Sequence, residues 1–352
     1  AMTIVDEAQT LKSYKSVIFK TVRDFSDAQH LLLMSGTIMS RPQDGYAYVK
    51  LNSPNVYQRF AQFENIHVAK RDFFDNPTEW KNLDLLQANL DLARVKRTAE
   101  EVHSRLPKIN WIPLEYKLSP EHMSLYRELM DKQLLEVGEG KIDATTAGKL
   151  YSASQQIIAN WGYFADDETK VPQLFDLIDN IIEEIGLGEP VLPGEPPRSK
   201  LIIWSIFKRT SRLLLDYMNS KAPKDKKTGK PLWRAVGAFG GVDSKEGVRA
   251  FLEDADAVAG VFQPGSAGVG LNPQFVCWEM LFAEFPTTTI PFEQSYGRIW
   301  RNGQIHNPNI RLAVASETIQ KSLLANLFAN DALVVQASGT RQSIKALIFP
   351  KI

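Results

Sequence analysis

Five predominantly apolar runs in the C-terminal part of the chain constrain the fold more than any other feature of the sequence. They cover residues 201–204, 235–239, 258–262, 276–282 and 310–315. Strands that are apolar along their whole length are typical of parallel sheets that are buried on both faces. Helical patterns, such as those at 210–219 and 245–253, lie between most of these runs. The sequence therefore predicts an α/β fold in which helices flank a parallel sheet.

The N-terminal part of the chain has a less regular pattern. Thr3-Ile4-Val5 is interpreted as a short buried strand that runs into Asp6-Glu7-Ala8-Gln9. Residues 31–34 are interpreted as a second strand that ends at Ser35-Gly36-Thr37. Because a domain rarely begins on a central strand, we expect the N-terminal part of the first unit to be missing from this chain.

A mainly helical stretch and a linker follow. Residues 119–185 show helical spacing, with Ser119 as an N-cap, Pro120 at the first helical position and Gly186 after the last helix. Residues 186–200 contain four prolines and three glycines, which is typical of a semi-extended linker. The length of 352 residues also favours two compact units.

The composition limits the partners and the compartment of the protein. Lys plus Arg and Asp plus Glu both number 41, so a polyanion would have to be held by a local basic surface. The single cysteine, Cys277, excludes an intramolecular disulfide framework and a cysteine-based zinc site. No apolar run approaches the roughly 20 residues of a membrane span, and no signal peptide opens the chain. We therefore expect a soluble cytoplasmic protein without a membrane partner.

The segment from Gln294 to Arg301 is the first that suggests chemistry. If a helix begins at Pro291, a repeat of about 3.6 residues per turn puts Gln294, Arg298 and Arg301 on one stripe. Two guanidinium groups one turn apart can clamp phosphate oxygens and stabilise charge during phosphoryl transfer. The alternative interpretation is a solvated basic helix with surface salt bridges.

A glycine-rich loop, residues 263–272, directly follows the run at 258–262. Loops at the carboxyl ends of parallel strands are where open α/β sheets bind ligands. Three glycines and Ser266 could offer backbone N–H groups and a hydroxyl to phosphates. The alternative is a glycine-rich turn without a ligand.

Two further strand ends carry polar side chains. A carboxylate at Asp6 can hold Mg²⁺ through water, and the neighbouring Glu7 can orient or deprotonate an attacking water. Ser35 and Thr37 add small hydroxyls at the end of the second strand. The alternatives are a polar loop start at Asp6-Glu7 and a simple turn at Ser35-Gly36-Thr37.

The order of these elements carries more information than any one of them. An acidic strand end, a Ser-Gly-Thr turn, a linker, a strand followed by Ser205, the glycine loop and the Gln–Arg–Arg segment occur in sequence. This order resembles motifs two to six of the superfamily-two helicases, the DEAD/DEAH-like motor ATPases. More narrowly, the chain is similar to the Swi/Snf-type double-stranded DNA translocases. The narrower resemblance rests on residues 95–102, 106–108, 118–126, 266–272 and 297–304.

The resemblance implies two RecA-like lobes, with ATP in the cleft between them and double-stranded DNA across both. Residues 1–118 would form the C-terminal part of the first lobe, 119–185 a helical protrusion, 186–200 the linker and 201–352 a complete second lobe.

The resemblance also implies a role for each matching residue. Asp6 would coordinate Mg²⁺ and Glu7 would activate the hydrolytic water, while Arg298 and Arg301 would be arginine fingers. The other implied positions are Gln9, Gly270 and Gln294 on the nucleotide, Ser35 and Thr37 in coupling nucleotide state to DNA contact, and Ser205, Lys208 and Ser266 on the DNA phosphates.

The chain departs from the family pattern at three places. Gln9 replaces the His that usually closes the acidic box, and Trp300 stands where a His is common between the two arginines. The Gly-x-x-x-x-Gly-Lys-[Ser/Thr] loop that should precede Asp6 does not occur in the sequence. We therefore expect the C-terminal portion of a larger motor, completed by an N-terminal lobe segment with that Walker A loop, and almost inactive alone.

Together these features predict a monomeric part of an ATP-dependent helicase or translocase, of bacterial or viral type, that moves on double-stranded DNA with ATP and Mg²⁺. Two alternatives stay open. The chain could be a non-catalytic module, derived from a helicase, that binds nucleic acid or a partner. It could also be an RNA-directed helicase.

Overall fold

The computed structural model describes residues 2–26, 30–73, 75–97, 101, 106–137, 140–143, 147–167, 169–267 and 271–339. The chain forms two compact units, each of which is considered by itself. The first unit draws on residues 1–102, 288–290 and 326–352, and the second on residues 103–287 and 291–325. The first change of unit thus comes after residue 102, ahead of the lobe boundary predicted at residue 118.

The first unit combines short strands with helices. Strands β1 (Met2–Val5) and β2 (His30–Leu33) pair in parallel, and β3 (Val68–Arg71) and β4 (Pro77–Trp80) form an antiparallel pair. Its helices are Val17–Ser26, Gly45–Asn52, Phe60–His67 and Leu83–Asp91, with 3-10 turns at Ala8–Leu11 and Pro42–Asp44.

An aromatic cluster forms the centre of this unit. The rings of Tyr46, Tyr57 and Phe63 are buried and lie edge-on or tilted against one another. The Tyr57 hydroxyl lies 2.6 Å from Nε2 of the buried His67, which fixes the end of the helix Phe60–His67. Val334 and Ala337, from the C-terminal end of the last helix, pack in the same core.

The two-stranded parallel sheet differs from the prediction of a buried strand at Thr3-Ile4-Val5. Ile4 is 56% exposed, although it pairs with Leu32 in the sheet. Apolar side chains on both strands and just after them are more than 40% exposed: Met2, Ile4, Leu32 and Met34. The prediction of burial was wrong because strand pairing on one side does not cover the faces of a sheet, and burial needs further layers.

The second unit contains the parallel sheet that the sequence predicts. Six strands lie in the order β5–β12–β11–β8–β10–β9, and every neighbouring pair is parallel. Their bounds are β5 Asn110–Tyr116, β8 Lys200–Trp204, β9 Arg234–Ala238, β10 Ala257–Phe262, β11 Cys277–Phe282 and β12 Asn309–Ala315. The α/β fold class is confirmed. Strand β5, which falls in the segment predicted for the first lobe, instead forms the edge of this sheet beside β12.

Helices cover this sheet and complete its core. They are Leu174–Ile185, Lys208–Lys221, Ser244–Glu253, the short Pro264–Ala267 and Thr289–Tyr296, with a 3-10 turn at Pro273–Phe275. The last helix, Ile319–Ser338, belongs to this unit only up to residue 325. Ile178, Leu214 and Leu281 are fully buried in one cluster that joins helices to strands. At Gly247, a Cβ atom would lie 1.9 Å from the Gly237 carbonyl oxygen, so only glycine lets the helix Ser244–Glu253 lie this close to β9.

The segment predicted to be helical contains the helices Pro120–Lys132, Ala147–Ala159 and Trp161–Phe164, followed by Leu174–Ile185. Ser119 is the N-cap, with its hydroxyl accepting from the His122 N–H at 3.2 Å, and Gly186 ends the last helix at φ 58°, as predicted. The strands β6 (Leu134–Val137) and β7 (Gly140–Asp143) form an antiparallel pair that was not predicted. Two glycines at 138 and 140 interrupt the helical pattern there.

No helix in the part of the chain that the structure describes is long and apolar enough to cross a membrane. Residues 186–199 form neither helix nor strand, and β8 begins at Lys200.

Candidate functional site

The carboxyl end of β1 carries the predicted acidic pair. Asp6 and Glu7 are both exposed, and the Glu7 N–H donates to Oδ1 of Asp6 at 2.8 Å. Glu7 takes a left-handed backbone conformation, with φ 52°, which turns the chain sharply into Ala8–Leu11. The Ala8 N–H donates to the Met34 carbonyl at 2.9 Å, so this turn is tied to the end of β2.

A chain of side-chain hydrogen bonds then links the acidic pair to the Ser-Gly-Thr turn. Nε2 of Gln9 donates to Oε2 of Glu7 at 2.5 Å, and the Ser35 hydroxyl donates to Oε1 of Gln9 at 2.6 Å. The Thr37 N–H in turn donates to Oγ of Ser35 at 3.2 Å. The structure therefore brings together four residues that the sequence singled out separately. Gln9, which replaces the expected His, occupies the middle of this chain because an amide can donate at one end and accept at the other.

The donor set at Asp6 fits a hard cation held partly through water. Its second oxygen, Oδ2, has no hydrogen-bond partner among the described residues and its side chain is open to solvent. Mg²⁺ takes oxygen ligands and keeps several waters, commonly with one or two carboxylates and substrate phosphates. Across the described ranges, no group of three or more His, Cys, Asp or Glu side chains forms a metal cage.

In the second unit, the predicted DNA-side residues all follow strands of the six-stranded sheet, but their exposure differs. Lys208 and Ser266 are exposed, at the start of the helix Lys208–Lys221 and within Pro264–Ala267. Ser205 is fully buried, and its hydroxyl lies 2.6 Å from that of Ser211. The structure thus places Ser205 in a side-chain pair beneath the surface, away from the contact with a phosphate that the sequence predicted.

Gln263 connects the three strand ends at this edge of the sheet, a role that sequence reasoning missed. Its Nε2 donates to the Ile206 carbonyl at 2.7 Å after β8, and its Oε1 accepts from the Gly240 N–H at 3.3 Å after β9. Its own carbonyl accepts from the Ser266 N–H at 3.0 Å. The Gln263 side chain therefore links its own loop, which carries Ser266, to the loop that leads from β8 to Lys208.

The Lys208 side chain crosses the backbone at the end of β9. A Cβ atom on Gly241 would lie 2.8 Å from both Cε and Nζ of Lys208, and Gly241 has φ 93°. Gly241 therefore leaves the space in which the lysine lies. This surface presents a cation at the carboxyl ends of parallel strands, the edge at which open α/β sheets bind ligands.

Glu284 is a buried carboxyl group beside this surface that the sequence analysis did not single out. It follows β11, is 0% exposed, and accepts hydrogen bonds from the Ile206 and Phe207 N–H groups and from the Thr210 hydroxyl. Burial raises the pKa of Glu284 to about 7, and the three donors act in the opposite direction. No signal within its own segment of sequence could have revealed these partners, which lie more than 70 residues away.

The arginine segment differs from its prediction. The helix runs from Thr289 to Tyr296 and ends there, so Gln294 is helical while Arg298 and Arg301 lie in the turns that follow. The predicted stripe of three was wrong because the helical hydrogen bonds give way to turns: the Gly297 N–H still donates to the Glu293 carbonyl, but the Arg298 N–H donates to the Ser295 carbonyl, one residue nearer. All three side chains are half-buried.

The neighbouring side chain of Gln304 holds these turns in place. Gln304 is 3% exposed; its Nε2 donates to the Cys277 and Ile299 carbonyls, and its Oε1 accepts from the N–H groups of Ile305 and His306. This one side chain attaches the arginine turns to the start of β11.

Trp300 and Arg301 each make one hydrogen bond that joins the arginine turns to another segment of the chain. Nε1 of Trp300 donates to the Pro107 carbonyl at 2.9 Å, which ties the Leu106-Pro107-Lys108 segment to the arginine turns. Nη1 of Arg301 donates to Oδ1 of Asn272 at 2.5 Å, so this arginine is held against the end of the glycine-rich loop. Gly270, the predicted nucleotide residue in that loop, lies outside the described residues.

Comparison with known proteins agrees with these motifs. Residues 1–160 match the SNF2-related domain. An uncharacterised ATP-dependent helicase of Bacillus subtilis, YqhH, is 21% identical over 360 residues, covering 97% of this chain and 60% of that protein. The chromodomain-helicase-DNA-binding protein 1-like of Danio rerio is 22% identical over 275 residues, covering 76% of this chain and 25% of that protein. The chain thus spans less than two thirds of the length of either relative.

Solved structures give a weaker likeness. The Sulfolobus solfataricus SWI2/SNF2 ATPase core in complex with dsDNA has a TM-score of 0.45 and 17% identity, covering 96% of this chain and 69% of that one. The C-terminal part of the Fun30 ATPase domain has a TM-score of 0.40 and 13% identity, covering 66% of this chain and 97% of that one.

Residues 1–160 thus match an SNF2-related domain, and the chain as a whole is similar to ATP-dependent helicases. This likeness supports the resemblance to Swi/Snf-type ATPases of helicase superfamily two that the ordered motifs predict.

Proposed function

We propose that this chain is part of an ATP-driven motor that couples ATP hydrolysis to movement on double-stranded DNA. The observation that carries the proposal is the hydrogen-bonded chain from Glu7 through Gln9 to Ser35, within the region that matches the SNF2-related domain. In this proposal Glu7 faces the nucleotide, and a displacement of its carboxylate can reach the Ser-Gly-Thr turn through two hydrogen bonds. This is the connection that a motor needs between nucleotide state and DNA contact.

For the chemical step, Asp6 would hold Mg²⁺ through water, and Glu7 would orient the attacking water. The metal, when bound, would neutralise charge on the β- and γ-phosphates. Arg298 and Arg301 would stabilise the charge that develops on the transferred phosphoryl group, with Gln294 and Gly270 at the nucleotide. What supports the role of Arg301 is that its side chain is already held by Asn272.

For DNA, we propose that Lys208 and Ser266 contact phosphates of the duplex. Both are exposed, and both lie on loops that Gln263 ties together. Contacts of this type are largely independent of sequence and weaken steeply as salt rises.

We also propose that an upstream segment with a Walker A loop completes the first unit. The exposed apolar side chains on β1 and β2 support this, because a parallel sheet is normally covered on both faces. The chain alone should then bind ATP poorly and hydrolyse it hardly at all. The complete motor would be a cytoplasmic monomer.

The test is the DNA-stimulated ATPase rate of a longer form of the protein that carries the Walker A loop. Arg301→Ala should lower kcat by about a hundredfold or more, since an arginine finger is worth roughly 10³–10⁵ in kcat. Arg249→Ala is the matched control, because Arg249 lies exposed on the helix Ser244–Glu253 and pairs with Glu246 and Glu253. It should leave the rate unchanged.

Two results would contradict the proposal. A rate for Arg301→Ala within a few-fold of the wild type would remove the finger assignment. Equal stimulation by RNA and duplex DNA, or none by either, would favour an RNA-directed helicase or a non-catalytic module.

A further inference from the structure

The turn between β8 and the helix Lys208–Lys221 has no local cap. The first N–H groups of a helix lack partners within the helix, and a side chain at the N-cap usually supplies one. Here the N-cap is Phe207, which has no such side chain. The N–H groups of Ile206, in the turn, and of Phe207, the N-cap itself, donate to Oε2 of Glu284 at 2.7 and 3.0 Å.

The other carboxyl oxygen holds the first turn of the same helix. The Thr210 hydroxyl is fully buried and donates to Oε1 of Glu284 at 2.8 Å. One carboxyl group at the end of β11 thus fixes the direction in which the chain leaves β8 and enters the helix. A carboxyl group withdrawn by the length of one methylene could not keep the partners of both oxygens within hydrogen-bond distance.

Lys208 stands directly after the two amides that Glu284 binds. Its side chain lies on the backbone at Gly241, a position that depends on where the turn places its Cα atom. The turn therefore connects the fully buried carboxyl group of Glu284, through two hydrogen bonds, to the exposed cation of Lys208.

We propose that Glu284 is a positioning residue for DNA binding, because its carboxyl group holds the turn from which Lys208 reaches a phosphate of the duplex. This inference rests on the proposed function. Glu284 itself does not touch the DNA.

The test measures how the binding of a fluorescently labelled duplex of about 20 base pairs to the 352-residue chain depends on salt. One lost phosphate contact lowers the slope of log K against log salt by about 0.9. Lys208→Ala should lower the slope by this amount. Lys227→Ala removes an exposed lysine from the loop before β9, at the opposite edge of the sheet, and is the matched control.

Two substitutions at Glu284 separate geometry from charge. Glu284→Gln keeps the length of the side chain: its oxygen can accept from both amides, and its NH₂ can donate to the Thr210 hydroxyl. Its slope should equal that of the wild type. Glu284→Asp keeps the charge but withdraws the carboxyl group by one methylene, and should lose as much slope as Lys208→Ala.

The double variants show whether both residues act through one contact. Glu284→Asp combined with Lys208→Ala should lose no more slope than either alone, whereas the effect of Lys227→Ala should be the same with Glu284 or Asp at position 284. If Glu284→Asp does not fold, Thr210→Val replaces it, since valine has the same shape without the donor. Thr210→Val should weaken duplex binding when it is introduced alone, and should cause no further loss in a chain that already carries Lys208→Ala.

Each contrary outcome points to a different failure. Three outcomes would overturn the positioning role while leaving DNA binding intact. The slope losses could add in the double variant, or the slope of Glu284→Asp could stay unchanged. The slope of Glu284→Gln could also fall as far as that of Glu284→Asp. A wild-type chain that does not bind the duplex would overturn the DNA-binding proposal as well.

Discussion

The buried carboxyl group of Glu284 should make the stability of the second unit depend on pH in an unusual direction. Burial raises its pKa from 4.5 to about 7, so between these values the folded state holds a proton that the unfolded state has released. Stability falls with rising pH wherever the folded state binds more protons. The contribution is therefore complete below pH 4.5 and is lost as the pH rises through 7.

The size of the effect follows from the shift. At about 1.4 kcal/mol per pKa unit, a rise from 4.5 to about 7 corresponds to about 3 kcal/mol for a group that is fully buried. Glu284→Gln removes the titration and has the shape of the protonated carboxyl group. We expect the variant and the wild type to have similar stability at pH 5, and the variant to be more stable by about 3 kcal/mol at pH 8.

The assay is urea unfolding followed by tryptophan fluorescence at pH 5, 6, 7 and 8. Because the chain has two compact units, the comparison uses the transition that Glu284→Gln shifts. A stability difference that stays constant between pH 5 and 8, or that favours the wild type increasingly at high pH, would refute the reasoning.

Three further predictions concern residues around the candidate site and the fold. Gln304→Ala removes the partner of two buried carbonyls and of two partly buried N–H groups, so it should lower the free energy of unfolding by about 2–4 kcal/mol in urea titration. Asp243 caps the helix Ser244–Glu253 by accepting from two backbone N–H groups; Asp243→Ala should cost about 1 kcal/mol, and Asp243→Ser much less, in the same assay. Burial lowers the pKa of His122, so the unfolded state takes up a proton first as the pH falls through the unfolded value near 6.5. Thermal unfolding should therefore show the wild type losing stability relative to His122→Gln between pH 7.5 and 5, and a constant difference would contradict this.

Much of the fold and part of the site follow from local pattern. The apolar runs after residue 200 predict parallel strands because only burial on both faces tolerates such composition, and the structure confirms the sheet. The local pattern also explains why Asp6-Glu7 lies next to Ser35-Gly36-Thr37, since the carboxyl ends of paired parallel strands lie side by side.

What failed were the predictions that depend on distant partners. The helical stripe of Arg298 and Arg301 assumed that the helix continues past Gly297, but turns follow, and Gln304 ties them to the carbonyl of Cys277, 27 residues earlier. Ser205 follows a strand as predicted, yet packing of the next helix buries its hydroxyl against Ser211.

The sequence by itself determined the parallel α/β architecture, the helix start at Ser119 and the acidic strand end, because periodicity and capping act over a few residues. Only the tertiary structure decided that β5 joins the edge of the second sheet and that Gln263 ties three strand ends together. It also decided that Glu284 holds a turn and a helix start more than 70 residues earlier in the chain. The reason is physical: a buried hydrogen-bond acceptor takes whichever donors the packing of strands and helices brings within 3 Å, and sequence separation does not limit that choice.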